Sequence, residues 1–187
     1  MFKYSKKLEY PINITKKDLK MAKYIMTALG GSAGELAAAT RYFVQSFSMP
    51  DERGKALLVD IATEELAHVE MISTMFRQLI KDSTMEEIKE AGLADYYTEH
   101  SKGVYPINAS GLPFRAEYIQ STGNPIVDLA EDMAAEEKAR ASYESIIDLT
   151  NNEELLNPLL FLRQREVIHY NRFKKLYEEY KEKYNMW

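Results

Sequence analysis

Glu65-Leu66-Ala67-His68 and Glu166-Val167-Ile168-His169 are two copies of one short phrase, a carboxylate and an imidazole three residues apart. On a helix that spacing puts both side chains on one face, one turn apart. Each copy has a glutamate 30 residues upstream, Glu35 for the first and Glu136 for the second. The whole set therefore recurs at an offset of 101 residues: Glu35 onto Glu136, Glu65 onto Glu166, His68 onto His169. A four-helix bundle presenting Glu, Glu-x-x-His, Glu, Glu-x-x-His to its interior is how a dinuclear carboxylate metal site is assembled. That pattern decides the fold class: all-α, a four-helix bundle.

The repeat also chooses between neighbouring acids. Only Glu136 of the pair Glu136-Glu137 lies at the right distance from its downstream phrase, and the same test prefers Glu65 over Glu64. Helical phase agrees, because Leu129, Met133, Glu136, Tyr143 and Ile147 share a face. Tyr42 maps onto Tyr143, each two turns after its helix's glutamate, where a hydroxyl is expected to steady that carboxylate. Four buried glutamates would each lose several kcal/mol of hydration unless two divalent cations neutralised them. Oxygen-rich ligation without thiolate suits manganese or iron in preference to soft metals. Two adjacent redox metals exchange two electrons together, as peroxide chemistry requires. His100, in Tyr97-Thr98-Glu99-His100, has no such partners and reads as a surface residue.

Local signals place the helices. Thr15-Lys16-Lys17-Asp18 resembles a capping box with Thr15 as N-cap, opening a first helix to about Phe47. Gly30, Gly31 and Gly34 inside it cost roughly 1 kcal/mol each relative to alanine. They imply close approach of a neighbour, or a break near Gly30. A second helix is expected from Pro50-Asp51-Glu52 to about Lys81. Residues 82–123, with one short helix over Thr84 to Ala91 closed by Gly92, form a long crossover between the second and third helices. Asn124-Pro125 opens the third helix, to about Leu149, and Asn157-Pro158 the fourth, to about Tyr184. Residues 1–14 read as an extended arm, and the 187 residues together as a single domain.

Composition narrows the function. Apolar residues make up 45% and charged residues 28% of the chain, an ordinary globular balance. No apolar run approaches the ~18 residues of a membrane span, and no signal peptide is visible, so synthesis in the cytoplasm is expected. A net charge of −5 with scattered basic residues argues against nucleic acid as a partner. The absence of cysteine removes thiolate metal sites, iron–sulfur clusters and cysteine nucleophiles. It also counts against a peroxidase of the rubrerythrin kind, which carries a four-cysteine iron site.

The stretch Gly30 to Tyr42, the helix around Glu65-Leu66-Ala67-His68-Val69-Glu70-Met71, and Asp128 to Arg140 with Arg165-Glu166-Val167-Ile168-His169 resemble the manganese catalases. The opening Lys6-Lys7-Leu8-Glu9-Tyr10-Pro11 is similar in particular to the spore-coat (CotJC) branch of that family. The resemblance implies a ferritin-like bundle holding two manganese ions, acting on hydrogen peroxide and yielding water and oxygen. It implies that Glu35 and His68 ligate one manganese, Glu136 and His169 the other, and that Glu65 bridges them. Glu166 then moves protons. It further implies a homo-oligomer deposited in the spore coat beside other coat proteins. Ala135 stands where some relatives carry arginine. A di-iron ferroxidase or peroxidase, and a coat protein whose metal site serves structure, remain the alternatives.

Overall fold

The computed structural model describes residues 7–184; residues 1–6 of the expected arm and 185–187 lie outside the described residues. Seven α-helices carry the fold: α1 (Leu19–Gly30), α2 (Glu35–Gln45), α3 (Glu52–Leu79), α4 (Met85–Glu90), α5 (Ala94–His100), α6 (Pro125–Ile147) and α7 (Glu153–Tyr184). No β-strand occurs among the described residues. The helices α1 and α2, four residues apart, together make the first rod of a four-helix bundle, and α3, α6 and α7 make the others.

Two apolar clusters fill the interior. One holds Ile25, Leu29, Met75, Phe76, Ile146 and Leu159; the other holds Ala38, Tyr42, Leu58, Ile61, Leu129, Phe173 and Leu176. Each rod passes from one cluster to the other, so the clusters give its direction. The first rod and α7 start in the first cluster, whereas α3 and α6 start in the second. The consecutive rods α3 and α6 are therefore parallel. The chain must travel the length of the bundle between them, which is why the crossover is long.

Several helix boundaries differ from expectation. The first rod is two helices, broken at residues 31–34. A Cβ at Gly31 would lie 2.4 Å from the Thr27 carbonyl oxygen, and one at Gly34 would lie 2.8 Å from that of Ala28. The break puts Glu35 in the first turn of α2, where the helix N-terminus favours a carboxylate. Gly30 meets the crossover, not a helix: a Cβ there would be 2.4 Å from the backbone of Pro106. The N-cap of α1 is Asp18, accepting from the Met21 amide at 3.0 Å, and not Thr15. Thr15 instead donates its amide and hydroxyl to Glu154 of α7 at 2.7 and 2.8 Å. The helix α7 begins five residues before Pro158, because Asn152 accepts from the Glu154 amide at 3.1 Å and starts it there. The crossover holds a second short helix, α5, beyond the expected α4 with its Thr84–Glu87 capping box.

Candidate metal centre

Between the two apolar clusters lies a belt of buried polar side chains: Glu35 from α2, Glu65 and His68 from α3, Glu136 from α6, and Glu166 and His169 from α7, each at most 2% exposed. All six expected residues converge. Glu65 is central, with Oε2 2.7 Å from His68 Nδ1 and Oε1 2.7 Å from His169 Nδ1. Glu35 Oε2 lies 3.6 Å from His68 Nδ1, and Glu136 Oε2 lies 3.7 Å from His169 Nδ1. The arrangement has the approximate twofold character of the sequence repeat. The two imidazoles are stacked at 5.7 Å between centroids.

Three groups of potential ligand atoms each gather within 4.8 Å: Glu9, Glu64 and His68 at the edge of the belt, and two in its centre, those of Glu35, Glu65, His68 and Glu166 and those of Glu65, Glu136 and His169. Glu65 belongs to both central groups. Glu65 Oε1, Glu136 Oε2, Glu166 Oε1, His68 Nε2 and both ring nitrogens of His169 are buried without an aligned hydrogen-bond partner. Orphaned donors and acceptors of this kind are rare in native cores and cost free energy unless an ion or water satisfies them. The set therefore fits two hard or borderline divalent cations.

The electrostatics of the metal-free protein are under tension. Burial, followed by the charge of Glu65, pushes Glu35 up to about 8. Burial together with Glu35, Glu136 and Glu65 raises Glu166 well above the carboxylate range. Glu65 resists its own burial because His169 and His68 hold it below that range. Burial works against charge on His169, yet Glu65, Glu136 and Glu64 push it up to about 12.

The tyrosines behave differently from expectation. The Tyr42 hydroxyl donates to Glu136 and the Tyr143 hydroxyl to Glu35, so each serves the glutamate of the other helix. Seven helical residues span roughly 10 Å along the axis, too far for a tyrosine to reach its own helix's carboxylate. The helices α2 and α6 run antiparallel, which brings each hydroxyl opposite the other's glutamate. His100 lies away from this belt, half-buried and stacked on Tyr105 at 3.9 Å.

Three residues at the centre were not singled out from sequence. Glu64, next to Glu65, turns outward and puts Oε2 3.2 Å from His169 Nε2. Arg165 donates Nε to Glu64 Oε1 at 2.5 Å. Despite burial, His169 and Arg165 hold Glu64 down at about 2. Glu9, from the arm, puts Oε2 3.4 Å from His68 Nε2.

Comparison with known proteins follows the same line. The family model described as manganese containing catalase matches residues 1–186. Protein CotJC of Bacillus subtilis is 49% identical over 182 residues, covering 97% of this chain and 96% of that protein. A manganese catalase of Lactiplantibacillus plantarum is 36% identical over 199 residues, covering 100% of this chain and 74% of the relative. The crystal structure of KatB, a manganese catalase from Anabaena, superposes with a TM-score of 0.87 at 31% identity, covering 96% of this chain and 80% of that one.

Proposed function

The chain belongs to the manganese-containing catalase family, and from that membership we propose that it disproportionates hydrogen peroxide to water and oxygen. The observation that carries this reading is the buried belt: four carboxylates and two imidazoles with unsatisfied atoms, enclosed by apolar clusters and free of thiolate. The family's dimanganese centre matches that donor set in number, charge and hardness. Glu35 and His68 would hold one ion, Glu136 and His169 the other, and Glu65, facing both imidazoles, would join them. The ions, when bound, supply a reversible two-electron couple, so that peroxide is converted without release of a radical.

The chain's own groups do the rest. Tyr143 and Tyr42 pin Glu35 and Glu136 by hydrogen bonds, fixing where their free oxygens point. Overall, one peroxide gives up two protons and two electrons to become oxygen, and a second takes up two of each to become two waters. A group beside the metals must therefore accept and return protons. Glu166 suits that role: its Oε1 has no hydrogen-bond partner, and burial, followed by the charges of Glu35, Glu136 and Glu65, raises its affinity for a proton. Two nearby cations would oppose that rise, so that the group can give up a proton as well as take one.

We propose further that the protein forms a homo-oligomer and is a component of the spore coat, a reading supported by its 49% identity to Protein CotJC. The test is metal analysis of purified protein combined with oxygen evolution on addition of peroxide. Two manganese ions per chain with vigorous oxygen release are expected. Two bound ions without oxygen release would assign the centre a structural role, and iron in place of manganese would point to a ferroxidase.

A further inference from the structure

The sequence repeat that builds the metal centre fails at one position, and the N-terminal arm fills the gap. A histidine that ligates through Nδ1 keeps its proton on Nε2, which then needs an acceptor; that acceptor orients the ring and raises its basicity. Beside His169 stands Glu64, its Oε2 3.2 Å from Nε2 and within reach of such a bond, although not aligned for one. The offset of 101 residues maps Glu64 onto Arg165, so the corresponding place beside His68 holds a guanidinium, which cannot accept a hydrogen bond. Glu64 itself turns toward the other side, with Oε1 accepting from Arg165 and Oε2 3.2 Å from His169 Nε2; it stands 3.9 Å from His68 Nε2, which is buried without an aligned partner. The remaining carboxylate oxygen within 4.0 Å of His68 Nε2, among the described residues and apart from the bundle's own repeat, is Glu9 Oε2 at 3.4 Å.

Glu9 is carried by a segment without helix, but that segment is fastened on both sides. The Ile14 amide donates to Gln78 Oε1 of α3 at 2.6 Å, and Lys81 Nζ, just past the end of that helix, donates to the Ile14 carbonyl at 3.2 Å. Tyr10 packs on Phe161 of α7 with ring centroids 5.0 Å apart, and Thr15 is bound to Glu154 of the same helix. The arm thus straps together the two helices that carry the Glu-x-x-His phrases. We propose that Glu9 is a positioning residue for His68, so that docking of this strap sets how firmly the metal ion held by Glu35 and His68 is retained. This rests on the ligand assignment above.

The test compares wild type with Glu9→Gln, which keeps the side-chain volume and removes the carboxylate. Both are loaded with manganese and mixed with excess EDTA, and release of each ion is followed in time. Hydrogen exchange at the Ile14 amide reports whether the strap stays docked. The expected result is that one of the two ions leaves Glu9→Gln about 10–100-fold faster, the usual range for loss of such a partner, while the other keeps the wild-type rate. Two ions leaving at wild-type rates would overturn the proposal. So would equal acceleration of both ions with loss of Ile14 protection, because the strap would then act only as packing. A wild-type protein that fails to take up two manganese ions would instead refute the ligand assignment.

Discussion

Glu65 faces two imidazoles at 2.7 Å each and has no exposed surface, so its carboxylate has one useful orientation. Glu166, its counterpart in the repeat, has no histidine nitrogen within 4.0 Å among the described residues, and its Oε1 is unpartnered. In the proposed assignment that asymmetry makes Glu65 a metal ligand and Glu166 a group that handles protons. Glu166→Gln should therefore retain two manganese ions per chain while oxygen evolution falls by about 100-fold or more, the usual worth of a proton-transfer group. Loss of an ion on that substitution would show Glu166 to be a ligand instead. Six residues of this centre were legible in the sequence because ligand spacing repeats along the chain. Glu64 and Glu9 were not, since their roles depend on which way a side chain turns and on where a non-helical arm lands. The break in the repeat at Arg165 was the one available signal. The crossed tyrosines were legible as a pair but not in their partners, which follow from the antiparallel run of α2 and α6.

Among the helices, those with a side-chain cap next to proline or a capping box began where the sequence indicated: α3 at Asp51, α4 at Thr84 and α6 at Asn124. Those whose start depends on tertiary partners did not. Thr15 is drawn off by Glu154, leaving Asp18 to cap α1, and the glycines that break the first rod respond to backbone pressed against them from Thr27, Ala28 and Pro106. Asp51 shows how a cap can also join elements. Its carboxylate accepts from the Gly54 amide at 3.0 Å, the Tyr180 hydroxyl at 2.6 Å, Lys183 at 2.9 Å and the Tyr184 hydroxyl at 3.0 Å, tying the start of α3 to the end of α7. The Tyr180 bond, followed by Lys183, holds this carboxyl below its ordinary range. A depressed acid contributes stability above its unfolded value, and that contribution is lost as pH falls below it. Asp51→Ala should lower the melting temperature at pH 7 by roughly 2–8 °C, from about 1–2 kcal/mol for the cap. Melting curves of the two proteins should converge as pH drops below about 4; a difference that persists there would mean the carboxylate charge is irrelevant.

The molecule as a whole is two apolar plugs with an acidic layer between them, and metal is what makes that layer compatible with its surroundings. Without metal, Glu35 is raised to about 8, Glu136 and Glu166 are also raised, and His169 is raised to about 12. In every one of these groups the folded state binds protons more tightly than the unfolded chain. The carboxyls therefore contribute stability that is complete below about pH 4 and declines as pH rises toward their folded values. The histidine contribution begins to decline above about 6.5. Glu65 and Glu64 are depressed and act in the opposite sense, but only below about pH 4. Between pH 5.5 and 8 the metal-free fold should thus weaken steadily. Manganese binding runs the other way, because cations compete with protons for the same atoms and bind better as pH rises. The gap in melting temperature between manganese-loaded and chelator-treated protein should therefore widen with pH. For each proton displaced the increase is about 1.4 kcal/mol per pH unit, or roughly 3–6 °C in a chain of this size. Calorimetry of both forms at intervals across that range measures it directly. A gap that stays constant or narrows toward pH 8 would mean that the buried carboxylates and imidazoles are not the groups that receive the metal.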